Sequence, residues 1–407
     1  MTARVVALGD VMVDIVATAT APLARGSDAA ATVRSHGGGS AANLAAWLAA
    51  VGRPALLVAR VGADDAGRAQ VAELTAHGVD VRAAFDPERP TGACVVIVEP
   101  DGERTFLPDR GANAALSADD LPADAFRAGD TLSVSGYALL AGGPGAAAAR
   151  AAMRRAHDTG MAVVVDPASS APLRAVGPAA FLALVVGAAL LLPNAEEALA
   201  LTGEAEPERA ARVLAARTGA EVVVTCGAGG AWWSDGARAV HAAGKRVRGD
   251  STGAGDAFAA GWLHARLAGA EVEEALRAAN ALGARAAARP GARPPGPASV
   301  AWRDSLPAMR PFLHVARTED WAAARRCGEY AVPAGPDAFT HCCYPEQLAG
   351  VLARFYSGVP RAELVLLEVA PDGLPVAVEG ASDGAGDFPH VYGSIPVAAV
   401  TATREVP

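Results

Sequence analysis

Lysine is almost absent from this sequence: Lys245 stands alone, and arginine carries the rest of the basic charge. With 35 basic against 44 acidic side chains, the formal net charge is −9 and the pI is near 5.4. That balance, without any Lys/Arg run, excludes an electrostatic footprint for nucleic acid and a polybasic membrane anchor. Cysteine is sparse too. Cys94, Cys226, Cys327, Cys342 and Cys343 are scattered, odd in number and form no CxxC pair, so neither a zinc site nor a redox motif is indicated. Adjacent Cys342 and Cys343 read as reduced, partly buried residues, with reactive thiols as the alternative. No apolar run is long enough for a membrane span: Phe181–Leu192 falls short of the ~20 residues required. The strand-like run Val5–Leu8 has no basic region and apolar signal core ahead of it. A cytoplasmic protein is expected.

What is present is a long, apolar chain. Its 407 residues exceed one compact core, and 52% hydrophobic content rules out general disorder. Up to about residue 298, short β-branched runs alternate with alanine- and leucine-rich helical segments. Val5–Leu8, Ala55–Val61, Thr131–Ser135, Ala162–Asp166, Ala189–Leu192 and Glu221–Thr225 read as buried strands. Ala42–Val51, Arg68–His77, Gly145–Thr159, Glu196–Leu201 and Pro207–Thr218 read as helices. Such alternation predicts an α/β fold with a doubly wound, mostly parallel sheet in three layers.

Two extended runs, Thr91–Glu99 and Arg104–Pro108, break the alternation and meet at Pro100-Asp101-Gly102, a turn sequence. They predict a small β-lid beside the main sheet, with Thr32–Ser35 as a further strand. Around Arg289–Pro311 repeated prolines interrupt regular structure, and a linker is placed at 299–311. The domains expected are therefore 1–298 and 312–407. The second reads as a small α+β domain, with helices near Thr318–Gly328 and Pro345–Tyr356 and strands at Leu364–Val369 and Val397–Thr403.

The strongest chemical signal is Asp250-Ser251-Thr252-Gly253-Ala254-Gly255-Asp256, which runs into an apolar helix. Small residues let backbone approach a ligand. A helix start offers unpaired N–H groups and a positive dipole end, suited to the charge on a transferring phosphoryl group. Asp256 can accept a proton from an attacking hydroxyl. Alone, the same residues read as a glycine-rich turn capped by Asp256.

This motif matches the signature of the ribokinase (PfkB) family of carbohydrate kinases, which the chain resembles over about residues 3–298. The resemblance implies a ribokinase-like fold and ATP-dependent phosphorylation of a hydroxyl on a sugar-like molecule, with Mg2+. It makes Asp256 the catalytic base and Gly253, Ala254 and Gly255 the anion hole. It sets Asp250 and Thr252 at a monovalent-cation site, for K+. Gly37-Gly38-Gly39-Ser40-Ala41-Ala42-Asn43 resembles the family's N-terminal glycine motif, so that Gly38, Gly39 and Asn43 would meet sugar hydroxyls. Asp14 falls at the family's substrate carboxylate; a turn or helix cap is the alternative reading of the bare residue. Met12 departs from ribokinase itself, which has Asn there, and this counts against ribose. Asn194 and Glu197 match an N-x-x-E motif that orients Mg2+-bound waters and phosphate; the plain reading of Glu197 is an exposed helix glutamate. Thr225, Gly227 and Gly230 match the nucleotide loop, and Asn280 the adenine pocket.

Arg104 and Arg110 lie in and after the lid hairpin, and Arg110 could fork onto a substrate carboxylate or phosphate. A solvated surface role is open for both, as it is for Lys245. In the second domain, Phe339-Thr340-His341-Cys342 and Phe388-Pro389-His390-Val391-Tyr392-Gly393 resemble a small bacterial family of unknown function grouped with ADP-ribosyltransferase-like folds. That grouping would place His314, His341 and Tyr392 along a nucleotide-like pocket; buried structural histidines are the alternative. A nucleoside kinase and a non-catalytic sugar sensor stand beside the carbohydrate kinase. Lid edges suit homodimer formation.

Overall fold

The computed structural model describes residues 3–23, 26, 28–100, 104–247, 251–289, 291–295, 311–330, 340–370, 374, 376–380, 387–391 and 394–406. The chain divides into two compact units, Met1–Gly296 and Pro297–Pro407.

The strands of the first unit are β1 (Val5–Leu8), β2 (Met12–Ala19), β3 (Ala31–Gly38), β4 (Ala55–Gly62), β5 (Asp80–Asp86), β6 (Gly92–Val98) and β7 (Arg104–Asp109). They continue with β8 (Thr131–Ser135), β9 (Ala162–Asp166), β10 (Leu190–Leu191), β11 (Glu221–Thr225), β12 (Ala231–Ser234) and β13 (Ala239–Ala242). Among the described residues, nine of these form one sheet in the order β13-β12-β11-β10-β9-β8-β1-β4-β5. Pairing is parallel from β11 across to β5, while β12 and β13 close the other edge antiparallel.

Its helices are α1 (Ser40–Ala50), α2 (Asp65–Ala76), α3 (Gly136–Leu140), α4 (Gly143–Thr159) and α5 (Ser170–Val176). Then come α6 (Pro178–Leu184), α7 (Ala195–Thr202), α8 (Pro207–Thr218), α9 (Ala254–Leu267) and α10 (Val272–Ala287). Successive strand side chains point to opposite faces, and the cores divide accordingly. Val5 and Ala7 pack with Trp47, Trp262 and Leu276, whereas Val6 and Leu8 pack with Met153, Phe181 and Leu214. The sheet is thus covered on both faces, in the three-layer doubly wound arrangement its β-branched runs predict.

A second sheet, ordered β3-β2-β6-β7, forms the lid. The expected hairpin β6/β7 and strand β3 are there; the turn at 101–103 lies outside the described residues. The sequence pattern misses β2, which is central, antiparallel to β3 and parallel to β6. Asp14 therefore sits mid-strand opposite His36 and Cys94, and the reading of it as a turn or cap is corrected.

Most of the expected linker, 299–310, also lies outside the described residues. Just before it, Gly291–Pro295 packs against the body of the first unit: Trp47 Nε1 donates to Ala292 O at 2.9 Å. No helix among the described residues is long and apolar enough to cross a membrane.

In the second unit, β14 (Phe312–Arg317), β17 (Leu364–Val369) and β21 (Val400–Glu405) form one sheet. A second joins β16 (Thr340–His341), β19 (Asp387–Val391) and β18 (Val376–Gly380), and β15 (Glu329–Tyr330) pairs with β20 (Ile395–Pro396). Helices span Thr318–Cys327 and Leu348–Phe355. Phe312, Trp321, Leu367 and Ile395 anchor its core. Strand β14 is missed by the sequence pattern, and Val397–Ala399 is a 3-10 turn ahead of β21, not its first residues.

Candidate active site

The strand order reverses between β8 and β1: the chain builds outward to β11 from one and to β5 from the other. Sheets of this kind bind ligands in the crevice outside the carboxyl ends at such a reversal. A pocket opens there, lined by Ser40, Leu44, Ser135, Asp166, Leu192 and Asp256.

Asp256 lies in the first turn of α9, whose N-cap is Gly253 at φ 74°. Only glycine suits that position, because a Cβ would also collide with Ala292 backbone. At Gly255 a Cβ would meet open space, so this stretch of the turn faces the crevice. Of the three expected anion-hole amides, that of Ala254 is engaged, donating to Ser251 O at 3.2 Å. The base candidate is held by two neutral donors: Ser40 Oγ to Oδ1 at 2.7 Å and Asn43 Nδ2 to Oδ2 at 2.9 Å. Burial, with Asp166 and Asp14 nearby, pushes its carboxyl up to about 7, against the opposing pull of those hydrogen bonds. A group titrating there suits general-base work at neutral pH.

Asp166, at the end of β9, is the residue sequence reasoning misses. A lone Asp after a strand carries no local pattern. Burial and Glu197 raise its pKa, and burial does the same for Glu197. Its Oδ1 accepts from the amide of Ala168 at 2.8 Å. Ala168 is at φ 73°, the one non-glycine residue at positive φ among those described. That left-handed backbone is costly for alanine, and it turns the chain sharply just after the acid. Burial, with the charge of Asp166 next, lifts the pKa of Tyr137 to about 12.

Asn194 and Glu197 form a reciprocal capping box at the start of α7. Asn194 Oδ1 accepts from Glu197 N at 2.9 Å, Glu197 Oε2 accepts from Asn194 N at 2.9 Å, and Asn194 Nδ2 donates to Glu197 Oε1 at 2.6 Å. Glu197 is 2% exposed, so the reading as an exposed helix glutamate is corrected. Among the described residues, no three His, Cys, Asp or Glu side chains converge as direct metal ligands. The acidic pocket of Asp166 and Glu197 fits a hydrated divalent cation, which usually keeps several waters.

On the substrate side the glycines act through their missing side chains. A Cβ on Gly38 would collide with the Asp14 carboxylate, and one on Gly37 with the Arg293 guanidinium. Gly39, at φ 92°, caps α1 and lies against Asp10 O. These contacts place Ser40 and Asn43 beside Asp256. Arg110, expected to fork onto a substrate anion, forks onto Asp10 instead, with Nε–Oδ2 at 3.0 Å and Nη2–Oδ1 at 2.6 Å. Arg104 reaches from β7 to Ser251 Oγ at 3.3 Å and Thr252 Oγ1 at 3.1 Å, which ties the lid to the glycine loop. Asp250 lies outside the described residues.

The other glycine loop follows β11. Thr225 is bridged to Asn194, and Cys226 N donates to Gly230 O at 2.7 Å. Gly227 (φ 54°) and Gly230 (φ 89°) are both left-handed. Asn280 Nδ2 donates to Ala242 O at 3.0 Å and Ala243 O at 3.3 Å, and so pins the segment against which Gly230 packs. The two glycine loops, Asn194 and Glu197 thus occupy one end of the sheet.

Residues 2–299 match the profile of the pfkB family carbohydrate kinases. The chain belongs to this family. An ATP-dependent ribose-1-phosphate kinase of Halopiger xanaduensis is 33% identical over 280 residues, 67% of this chain and 87% of its own length. The crystal structure of adenosine kinase from Sinorhizobium meliloti superposes with a TM-score of 0.67 at 26% identity, covering 75% of this chain and all of that one. Fructokinase from Vibrio cholerae, in a fructose-, ADP- and calcium-bound form, gives 0.61 at 29% identity over 72% of this chain and 94% of its own. Residues 315–403 match a family described as protein of unknown function, DUF952.

Proposed function

We propose that the first unit transfers the γ-phosphoryl group of ATP to a hydroxyl of a sugar or sugar-like molecule, with Asp256 as the base. The observation that carries this reading is the placement of Asp256. It stands at the start of a helix, gripped by Ser40 and Asn43, with its carboxyl raised to about 7. Deprotonated, it takes the proton of the attacking hydroxyl; the start of α9, with Gly253, Ala254 and Gly255, faces the phosphoryl charge. Asp14, Gly38, Gly39 and Asn43 form the substrate side, with Arg110 acting through Asp10. Asn194, Thr225, Gly227, Gly230 and Asn280 form the ATP side. Glu197, with Asp166 beside it, would hold Mg2+ through water, and that ion would neutralise charge on the phosphates. Asp250 and Thr252 are assigned to a K+ site. Lid closure would exclude water and limit wasteful hydrolysis.

A nucleoside acceptor is the second reading, favoured by the superposition on an adenosine kinase. A cytoplasmic setting and a homodimer joined through the lid complete the proposal; exposed Val33, Phe106 and Leu107 on the outer strands β3 and β7 support the latter. For the second unit, an ADP-ribosyltransferase-like fold remains a proposal. It rests on the sequence elements at 339–342 and 388–393; His314 is buried with Nδ1 2.8 Å from His341 O, the contact a structural histidine makes, and Tyr392 lies outside the described residues.

The test is ATP consumption with Mg2+ and K+ across pentoses, hexoses, ketodeoxy-sugar acids, sugar phosphates and nucleosides, with each product weighed by mass spectrometry. One phosphorylated product, lost in Asp256→Asn, is expected. ATP binding without any product would sink the reading.

A further inference from the structure

Resting on the assignment of Asp256 as the base, we infer that Arg293 is a positioning residue that sets the Asn43 amide, and through it the base, from behind the substrate side of the site. Arg293 follows Gly291 and Ala292 in a stretch with no regular structure and no motif. Its side chain is nevertheless only 4% exposed. A guanidinium this deeply placed needs partners on all sides. Nη2 donates to Gly38 O at 2.8 Å, Nε donates to Asn43 Oδ1 at 3.4 Å, and Nη1 lies 3.2 Å from Glu73 Oε1.

The consequence falls on Asn43, which is 4% exposed. Its amide has one acceptor end and one donor end. Arg293 takes the acceptor end, so the donor end is left to Asp256 Oδ2 at 2.9 Å. A flipped amide would set Oδ1 against a carboxylate and NH2 against a guanidinium, two repulsive contacts at once. The chain Glu73–Arg293–Asn43–Asp256 therefore fixes one amide orientation and one carboxylate orientation. It also explains Gly37, where any side chain would occupy the guanidinium's place.

Arg293 acts on Asp256 in a second way. The groups facing this carboxylate are Ser40 and Asn43 on α1, Asp14 on β2, Asp166 on β9 and Tyr137 on α3, with Glu197 beyond Asp166. Arg293 apart, the charged ones are acids. Arg293 is a buried cation on which both Asp14 and Asp256 act, and a positive charge so placed favours the ionised base. Removing it must move the Asp256 titration upward, and with it the acid limb of catalysis.

The experiment follows the Asp256 side-chain carboxyl by carbon NMR titration in the full-length chain, with Asp256→Asn to assign the resonance. It is paired with kcat and KM against pH on whichever substrate turns over. In Arg293→Met the midpoint should rise by about one pH unit, with kcat reduced on the acid side and KM for ATP unchanged. Arg293→Lys should restore most of the midpoint. Glu73→Gln, at a half-exposed position outside the site, should move the midpoint the opposite way by strengthening the local positive field; it keeps the test decisive should Arg293→Met not fold. An unmoved midpoint in both Arg293→Met and Glu73→Gln would overturn the inference, whatever their stability. Shifted midpoints without product from any substrate would support the relay while removing the kinase reading.

Discussion

Asp86 and Asp256 are two carboxylates in the same α/β unit, and their surroundings are opposite. Asp86, 2% exposed at the end of β5, receives Arg60 Nε at 3.0 Å and Arg89 Nη1 at 3.3 Å. The amides of Glu88 and Arg89 add donors at 2.9 Å each. Those amide bonds and Arg60 hold its carboxyl well below the usual carboxylate range. Asp256 receives two neutral side-chain donors and faces Asp166 and Asp14. A carboxylate whose role is to hold the fold is surrounded by cations and amides. One that must exchange a proton is given geometry without full charge compensation. The same contrast separates the β4–β5 edge, where acids are neutralised pairwise, from the crevice, where they crowd together.

The largest expected effect breaks the contrast at Asp256. Asp256→Asn should lower kcat by about 10³-fold, within the range for loss of a general base, with ATP binding retained by titration calorimetry. Because the native pKa is raised, the ionised form costs stability once pH exceeds the unfolded value and most fully above about 7. Asp256→Asn should therefore raise Tm relative to wild type at pH 8 and leave it unchanged near pH 4, as scanning calorimetry would record. Gly253→Ala comes next: its positive φ and the collision with Ala292 should shift the start of α9 and cut kcat by about 10²-fold.

Asp86→Ala inverts the pattern. It should lower Tm by roughly 5 °C or more and change kcat less than about twofold. Its depressed pKa also sets a different pH window. Stability from Asp86 is present above its unfolded pKa of ~3.9 and is lost only as pH falls further, whereas activity governed by Asp256 should already fall below pH ~7. The smallest effect is at Ala168→Gly. Relief of its left-handed backbone should raise Tm by about 2 °C, with slack beside Asp166 appearing as a modest loss of kcat.

The crevice was legible in the sequence wherever chemistry rests on consecutive small residues. Gly253–Asp256, Gly37–Asn43 and Thr225–Gly230 point to a site together, through their order along the chain and their resemblance to family motifs; taken singly, each reads as a glycine-rich turn. The inner strands of the main sheet, β1, β4 and β8 to β11, were legible because burial on both faces demands β-branched runs, whereas the edge strands β5, β12 and β13 were not. The lid's central strand β2 was not, since Met12–Ala19 packs into a thin core and carries Asp14 in its middle. Asp166 and Arg293 escaped for a different reason: each is a single residue at the end of a strand or in a proline-rich stretch. Their roles exist only once β9 and the segment after α10 arrive beside α1 and α9. Arg110 shows the converse, since its forked geometry is used as predicted but on Asp10 within the chain.

The most direct test of the central claim is the pH dependence of product formation in wild type and Asp256→Asn, measured on the substrate that the panel identifies. The account predicts a wild-type acid limb with a midpoint near pH 7, and a variant whose residual rate is small and lacks that limb. A variant turning over at near wild-type rate with the same limb would contradict it.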